Sequence, residues 1–217
     1  MNKLKTDTAI QVVAASLFQK YGFEKTSMEE IAREAHKSKR SIYNYFRNKE
    51  ELFMTLVSSE IDNIRRDLES LTEDENLHFL PRLRQYLLLR VQLFAAAVNL
   101  RVAMRDRMFR EGSVRFRKLN QAKLQFIHWE RQFFKSVWES IQTDESPENV
   151  DTQASAFADM LQVTLNGLSY TFFVEDKYDQ YQSSYKMLID LIINSISVVL
   201  GTSKYPYPEF SPVQSSN

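Results

Sequence analysis

A chain of 217 residues, 43% hydrophobic and 26% charged, is long enough for one or two domains around a substantial core. Its formal net charge is zero, so the total lends nothing to a nucleic-acid partner, and any such signal must lie in the distribution. The absence of cysteine excludes disulfides, a thiol nucleophile and thiolate zinc sites and fits the cytoplasm, while no apolar run approaches the ~20 residues of a membrane span.

Four glycines and five prolines are few for this length and argue for long helices, an all-α protein of about nine. Lys3 and Lys5 ahead of an apolar stretch resemble a signal peptide, but Asp7 and Gln11 interrupt it. Instead, Ile10, Val13, Ala14, Leu17, Phe18 and Tyr21 keep helical spacing, and Gly22 stands where a C-terminal cap belongs. Ser27 and Glu30 have capping-box spacing and open a second helix with Met28, Ile31, Ala32 and Ala35 on its inner face. After His36 and Lys37, Ser38 is an N-cap candidate for a short third helix, about Lys39 to Phe46, anchored by Ile42 and Phe46. Asn48 caps a fourth helix from about Lys49, with Leu52, Phe53, Leu56, Val57, Ile61, Ile64, Leu68 and Leu71 as its stripe.

Further helices are expected at about 81–98, 100–110, 114–141, 152–175 and 181–200, with a polar linker at 144–150 and a mobile tail at 201–217. The domains divide accordingly into 1–48, a connecting helix 49–71, and a bundle 72–200.

Residues 37–49 hold Lys37, Lys39, Arg40, Arg47 and Lys49 with no acid among them. Two short helices, a three-residue turn and a basic second helix fit a helix-turn-helix. Such a helix needs an apolar inner face, an exposed outer face and hydrogen-bond donors there. Lys39, Arg40, Ser41, Asn44 and Tyr45 supply the outer face. Arg40 suits a fork onto guanine and Asn44 a pair with adenine, while Lys49 at a helix start suits a phosphate. Basic residues alone would more simply be a solvated face, and it is the succession of capping box, turn, basic helix and capped fourth helix that favours DNA.

Thr26-Ser27-Met28-Glu29-Glu30-Ile31-Ala32, Ala35, Ser38, Ser41-Ile42-Tyr43-Asn44-Tyr45-Phe46, Lys49 and Leu52 together resemble the TetR family of transcriptional regulators. The resemblance covers about a quarter of the chain and implies a repressor with a helix-turn-helix domain and a C-terminal bundle that binds an effector and dimerises. It implies phosphate binding by Thr26, Ser27 and Lys49, backbone contacts by the phenols of Tyr43 and Tyr45, and base or phosphate contacts by Lys39 and Arg40. Lys37, Ser38, Ser41 and Asn44 complete the candidate DNA-contacting set. Two positions depart from the family pattern: its turn glycine is His36 here and the following apolar residue is Lys37. Histidine tolerates a positive φ at a small cost; a ligand or pH-switch role for it is the alternative.

The bundle is rich in aromatics, which at helical spacing are usually core. The resemblance implies that some line an effector cavity, and Phe94, Phe126, Trp129, Phe133 and Tyr170 are the candidates, with Asn99, His128 and Asn166 as polar ones. Walls of this kind suit an apolar or aromatic effector. His128 alone would more simply be a core or surface histidine. Arg101, Arg105, Arg107, Arg110, Arg115, Arg117 and Lys118 read as a solvated face, with an anion site as the alternative. The last two helices are apolar on more than one side, which calls for self-association, and a two-fold dimer is the commonest form. The resemblance implies an interface from this pair, and Phe157, Leu161, Gly167, Leu188, Ile192 and Ile196 are its candidates.

Two partners are therefore expected, a near-palindromic duplex and a small effector, besides a second copy of the chain, with no cofactor, metal or membrane. Against an enzyme stand the missing phosphate loop, H-E-x-x-H and G-x-S-x-G motifs; a helical interaction module without DNA binding is the other alternative.

Overall fold

The computed structural model describes residues 2–72, 79–109, 116–140 and 146–199, with side chains from residue 6 to 198. The expected tail at 201–217 lies outside the described residues, as do Arg110 and Arg115. The described residues are helical, with no strand among them.

α1 (Asn2–Tyr21) buries Ile10, Ala14 and Phe18 completely. Gly22 ends it at φ +82°, a left-handed backbone that favours glycine. α2 (Met28–Glu34) carries both hydrogen bonds of the Ser27–Glu30 capping box. α3 (Lys39–Tyr43) is capped by Ser38 Oγ, which accepts from Ser41 N–H at 3.1 Å. It is shorter than the pattern predicts, because Asn44 to Phe46 turn away while Phe46 still reaches the core. α4 (Lys49–Thr72) is capped by Asn48, whose Oδ1 accepts from Glu51 N–H at 2.7 Å. Its inner stripe, from Leu52 to Leu68, is buried as the spacing predicts.

α5 (Phe79–Ala96) and α6 (Val98–Arg105) meet at 81° around Ala97. α7 (Arg117–Glu139) packs along α8 (Pro147–Ser169), which runs on into a π-helical turn (Tyr170–Val174), and α9 (Tyr178–Val199) follows. α8 starts inside the stretch expected to be a polar linker. Pro147 occupies its first turn, where the missing N–H costs nothing. No single described helix is long and apolar enough to cross a membrane.

The N-terminal helices and the bundle share one core. Phe18 and Phe23 each lie 4.9 Å from Phe53 between ring centroids, and Phe23 lies 5.6 Å from Phe116. On α6, Asp106 accepts from Phe23 N–H at 3.4 Å, and at its other end Glu60 of α4 accepts from the N–H groups of Asn99 and Leu100 at 3.1 and 2.7 Å. α6 is therefore pinned at one end to the α1–α2 turn and at the other to α4.

Candidate functional site

The turn between α2 and α3 explains how a histidine replaces a glycine. His36 sits at φ 52°, in the left-handed region. Its N–H donates to Arg33 C=O at 3.1 Å and that of Lys37 to Ala32 C=O at 2.9 Å. This pair of bonds is a Schellman closure, which needs a left-handed residue after the cap. It satisfies two of α2's last carbonyls and swings the chain into α3. Ile42, fully buried, anchors α3 from beneath. Lys37, Ser38, Lys39, Arg40, Tyr43 and Asn44 are exposed, and Ser41 and Tyr45 are half-buried. Arg40 and Asn44 have no side-chain partner among the described residues. Lys39 forms an ion pair with Glu29 of α2 and lies 5.9 Å from the Tyr43 ring centroid, so its charge is partly matched. That pair holds the Glu29 carboxyl below its usual range, the Lys39 hydrogen bond being the main cause.

Three expected phosphate ligands are used differently. Thr26 is 2% exposed, and its hydroxyl donates to Gly22 C=O at 2.9 Å, closing the α1–α2 turn. A buried hydroxyl cannot reach a phosphate, so this expectation is corrected. Ser27 Oγ is occupied by the capping box, donating to Glu30 Oε2 at 2.8 Å and accepting from Glu30 N–H at 3.2 Å. Lys49 Nζ donates to the carbonyls of Phe23 and Glu24 at 2.7 and 3.3 Å and lies 4.3 Å from the Phe23 ring centroid. It ties the start of α4 to the α1–α2 turn. The sequence already offers Ser27 to the capping box, but only the packing shows that Thr26 is buried and that Lys49 is tied to the α1–α2 turn.

The bundle encloses a cavity of about 300 Å³, at the lower end of small-molecule sites. Of the residues expected there, Phe94, Phe126, Asn166 and Tyr170 line it. Four do not. Asn99 is buried, with its Nδ2 donating to Glu60 at 2.7 Å; His128 is exposed; Phe133 packs 4.6 Å from Tyr86; and Trp129 lies under Arg65. The wall is completed by Ile61 and Ile64 of α4, Leu100 and Met104 of α6, Arg90, Phe109, Lys123, Ile127, Ser169 and Val174. α4 and α6 thus contribute to the cavity as well as touching the N-terminal helices.

Arg90 joins this wall to a buried polar network. Its Nε donates to Glu130 Oε1 at 2.5 Å, and its other nitrogens donate to Glu130 Oε2 and Ser169 Oγ, each at 3.3 Å. Tyr86 Oη at 2.8 Å and Gln162 Nε2 at 3.1 Å also donate to Glu130, which is fully buried. Burial is the largest cause that pushes the Tyr86 phenol well above its ordinary value. Sequence reasoning missed this network. Its signal was a charged residue within the apolar run Leu87-Leu88-Leu89-Arg90-Val91.

Residues 10–56 match the family of bacterial regulatory proteins, tetR family. Over this N-terminal stretch the chain is similar to the tetR family's DNA-binding domain. An uncharacterized HTH-type transcriptional regulator of Bacillus subtilis (strain 168), YfiR, is 29% identical over 76 residues. That match spans 35% of this chain and only 37% of the relative's own length. Among solved structures, the fatty acid degradation regulator FadR from Bacillus halodurans superposes with a TM-score of 0.64 at 16% identity, over 91% of this chain and 99% of that one. A TetR transcriptional regulator from Legionella pneumophila gives 0.60 at 21% identity, over 85% and 95%. These likenesses show that the fold of those proteins extends past the N-terminal helices to 85–91% of this chain.

In this chain the faces of α8 and α9 sort the residues expected to pair two copies. Phe157, Leu161 and Ile196 are buried in the protomer's own core, at 6, 1 and 7% exposure, and so are not free to meet a second copy. Leu188 and Ile192 are half-buried. Gly167 is exposed, and nothing lies within 4 Å of where its Cβ would be. Around it on α8 stand Met160 and Val163, 53 and 73% exposed, and α9 adds Met187 and Val198 at 54 and 42%. The stripe chosen from the sequence was the strongest apolar one, and a protomer's own core takes the strongest stripe first. The basic stretch behaves as a solvated face where it is described: Arg105, Arg107, Arg117 and Lys118 are exposed and Arg101 is half-buried.

Proposed function

We propose that this protein is a DNA-binding transcriptional regulator of the cytoplasm, a repressor that reads a near-palindromic operator as a homodimer and is released by a small effector. The N-terminal domain, residues 1–48, makes the DNA contact, and the bundle, 72–200, holds the effector and the dimer face. The observation that carries the reading is α3. Its Ile42 is buried to 0% while Arg40 and Asn44 stand exposed and unpartnered among the described residues. A short helix held from beneath by apolar packing, with donors such as Arg40 and Asn44 free on its outer side, is what entry into a major groove requires. The exposed apolar side chains of α8 and α9 favour pairing around Gly167. A two-fold dimer would present two copies of α3, for half-sites about 34–36 Å apart. The cavity, mostly apolar, suits an apolar or aromatic effector.

Titration of duplex DNA from upstream of the protein's own gene tests this by fluorescence anisotropy. Binding is expected to weaken steeply with salt. Arg40→Ala is expected to lose about 1–3 kcal/mol of discrimination at one base position, with the melting temperature unchanged. Unchanged base preference would remove Arg40 from the contact, and salt-independent or absent binding would refute the regulator reading.

A further inference from the structure

Among the described residues, the wall of the bundle cavity contains two cations, Arg90 and Lys123, and no aspartate or glutamate. The two are not equivalent. Arg90 is 2% exposed and its charge is matched by the buried carboxylate of Glu130. Lys123, on α7, is exposed and has no carboxylate partner among the described residues. Its ammonium lies 5.9 Å from the centroid of the Phe109 ring, itself part of the wall. Among the described residues, the cavity therefore has an apolar interior, a neutralised ion pair in its wall and one unmatched positive charge in contact with solvent.

We infer that the ligand of this cavity is an amphipathic acid, an apolar body carrying a single carboxylate that Lys123 holds at the mouth. This rests on the reading of the cavity as an effector site and adds the charge of its occupant. A neutral apolar molecule would fill the interior but leave Lys123 paired only with water. A cationic amphiphile would meet like charge there. A second carboxylate deeper inside would be desolvated beside Glu130, which has no spare counter-charge, so one anionic end is favoured over two. At ~30 Å³ for each water-sized group, the space suits about ten non-hydrogen atoms, the size of octanoate.

Isothermal titration of the full chain with octanoate, octanol and octylammonium separates these cases. Octanoate is expected to bind about fivefold more tightly than octanol, the scale of an ion pair as exposed as one to Lys123, and octylammonium most weakly. Lys123→Met should erase the preference for octanoate while leaving octanol affinity unchanged, and Ile127→Trp, which fills the cavity, should abolish binding of both. Octanol binding as tightly as octanoate, or a preference that survives Lys123→Met, would overturn the acid and leave the effector cavity standing. Octanoate binding that survives Ile127→Trp would place it outside the cavity and overturn the inference as well. If no probe binds, the acid is overturned, and a melting temperature that also ignores neutral aromatic compounds would take the effector reading with it.

Discussion

Arg40 and Arg90 carry the same guanidinium in opposite settings. On α3 the helix is held by Ile42 beneath it, and Arg40 is exposed and without a partner among the described residues. On α5 the side chain of Arg90 is 3% exposed and donates to residues of α7 and α8. In the N-terminal helices the fold rests on apolar contacts, and polar atoms either close turns, as Thr26 and Lys49 do, or face outward. In the bundle a charged cluster sits at the centre and ties three helices together. The outward face of α3 can accordingly vary with little effect on folding, whereas the cluster around Glu130 cannot lose one member alone.

The sharpest way to break this contrast is Glu130→Ala, which leaves Arg90 buried and unpaired. It is expected to cost about 3–5 kcal/mol in urea unfolding, while Arg40→Ala stays within about 0.5 kcal/mol. The double change Arg90→Leu with Glu130→Leu should recover much of the loss, since two apolar side chains leave no unmatched charge. A Glu130→Ala protein as stable as the wild type would show that the cluster is not a structural centre. A smaller effect lies in the turn that aims α3. His36→Gly removes the left-handed strain and is expected to stabilise by about 0.5–1 kcal/mol, read as a rise in melting temperature. A fall would mean that the imidazole makes a contact that outweighs the strain.

The smallest effect concerns Glu60, where α4 meets α6. Burial raises its carboxyl above the usual 4.5, against the pull of the Leu100 and Asn99 donors. The folded state thus holds this proton more tightly than the unfolded chain does. The stability it contributes is full below the unfolded value and is lost as pH rises through the folded one. Relative to Glu60→Gln, which does not titrate, the wild type should lose stability as pH is raised from about 4 towards neutrality. Parallel unfolding curves for the two proteins across that range would contradict this.

Helices, caps and the outward face of α3 were legible from residue order. Each depends on neighbours within a few positions: Ser27 with Glu30, Asn48 with Glu51, Ile42 against the exposed side of its own helix. The left-handed turn at His36 was expected from the family resemblance, whose pattern has a glycine there, and not from local order. Periodicity identifies an apolar stripe but not what it packs against. Phe157, Leu161 and Ile196 therefore looked like an interface until the protomer's core took them, leaving Met160 and Val163 outside. The cavity draws on residues as far apart as Ile61 and Val174, so only half of the side chains expected to line it proved to do so. Local order alone determined the helices and the cationic face. The partners of Lys49, Arg90 and Glu130 were decided by tertiary packing, because burial and pairing depend on which distant segment arrives beside a side chain.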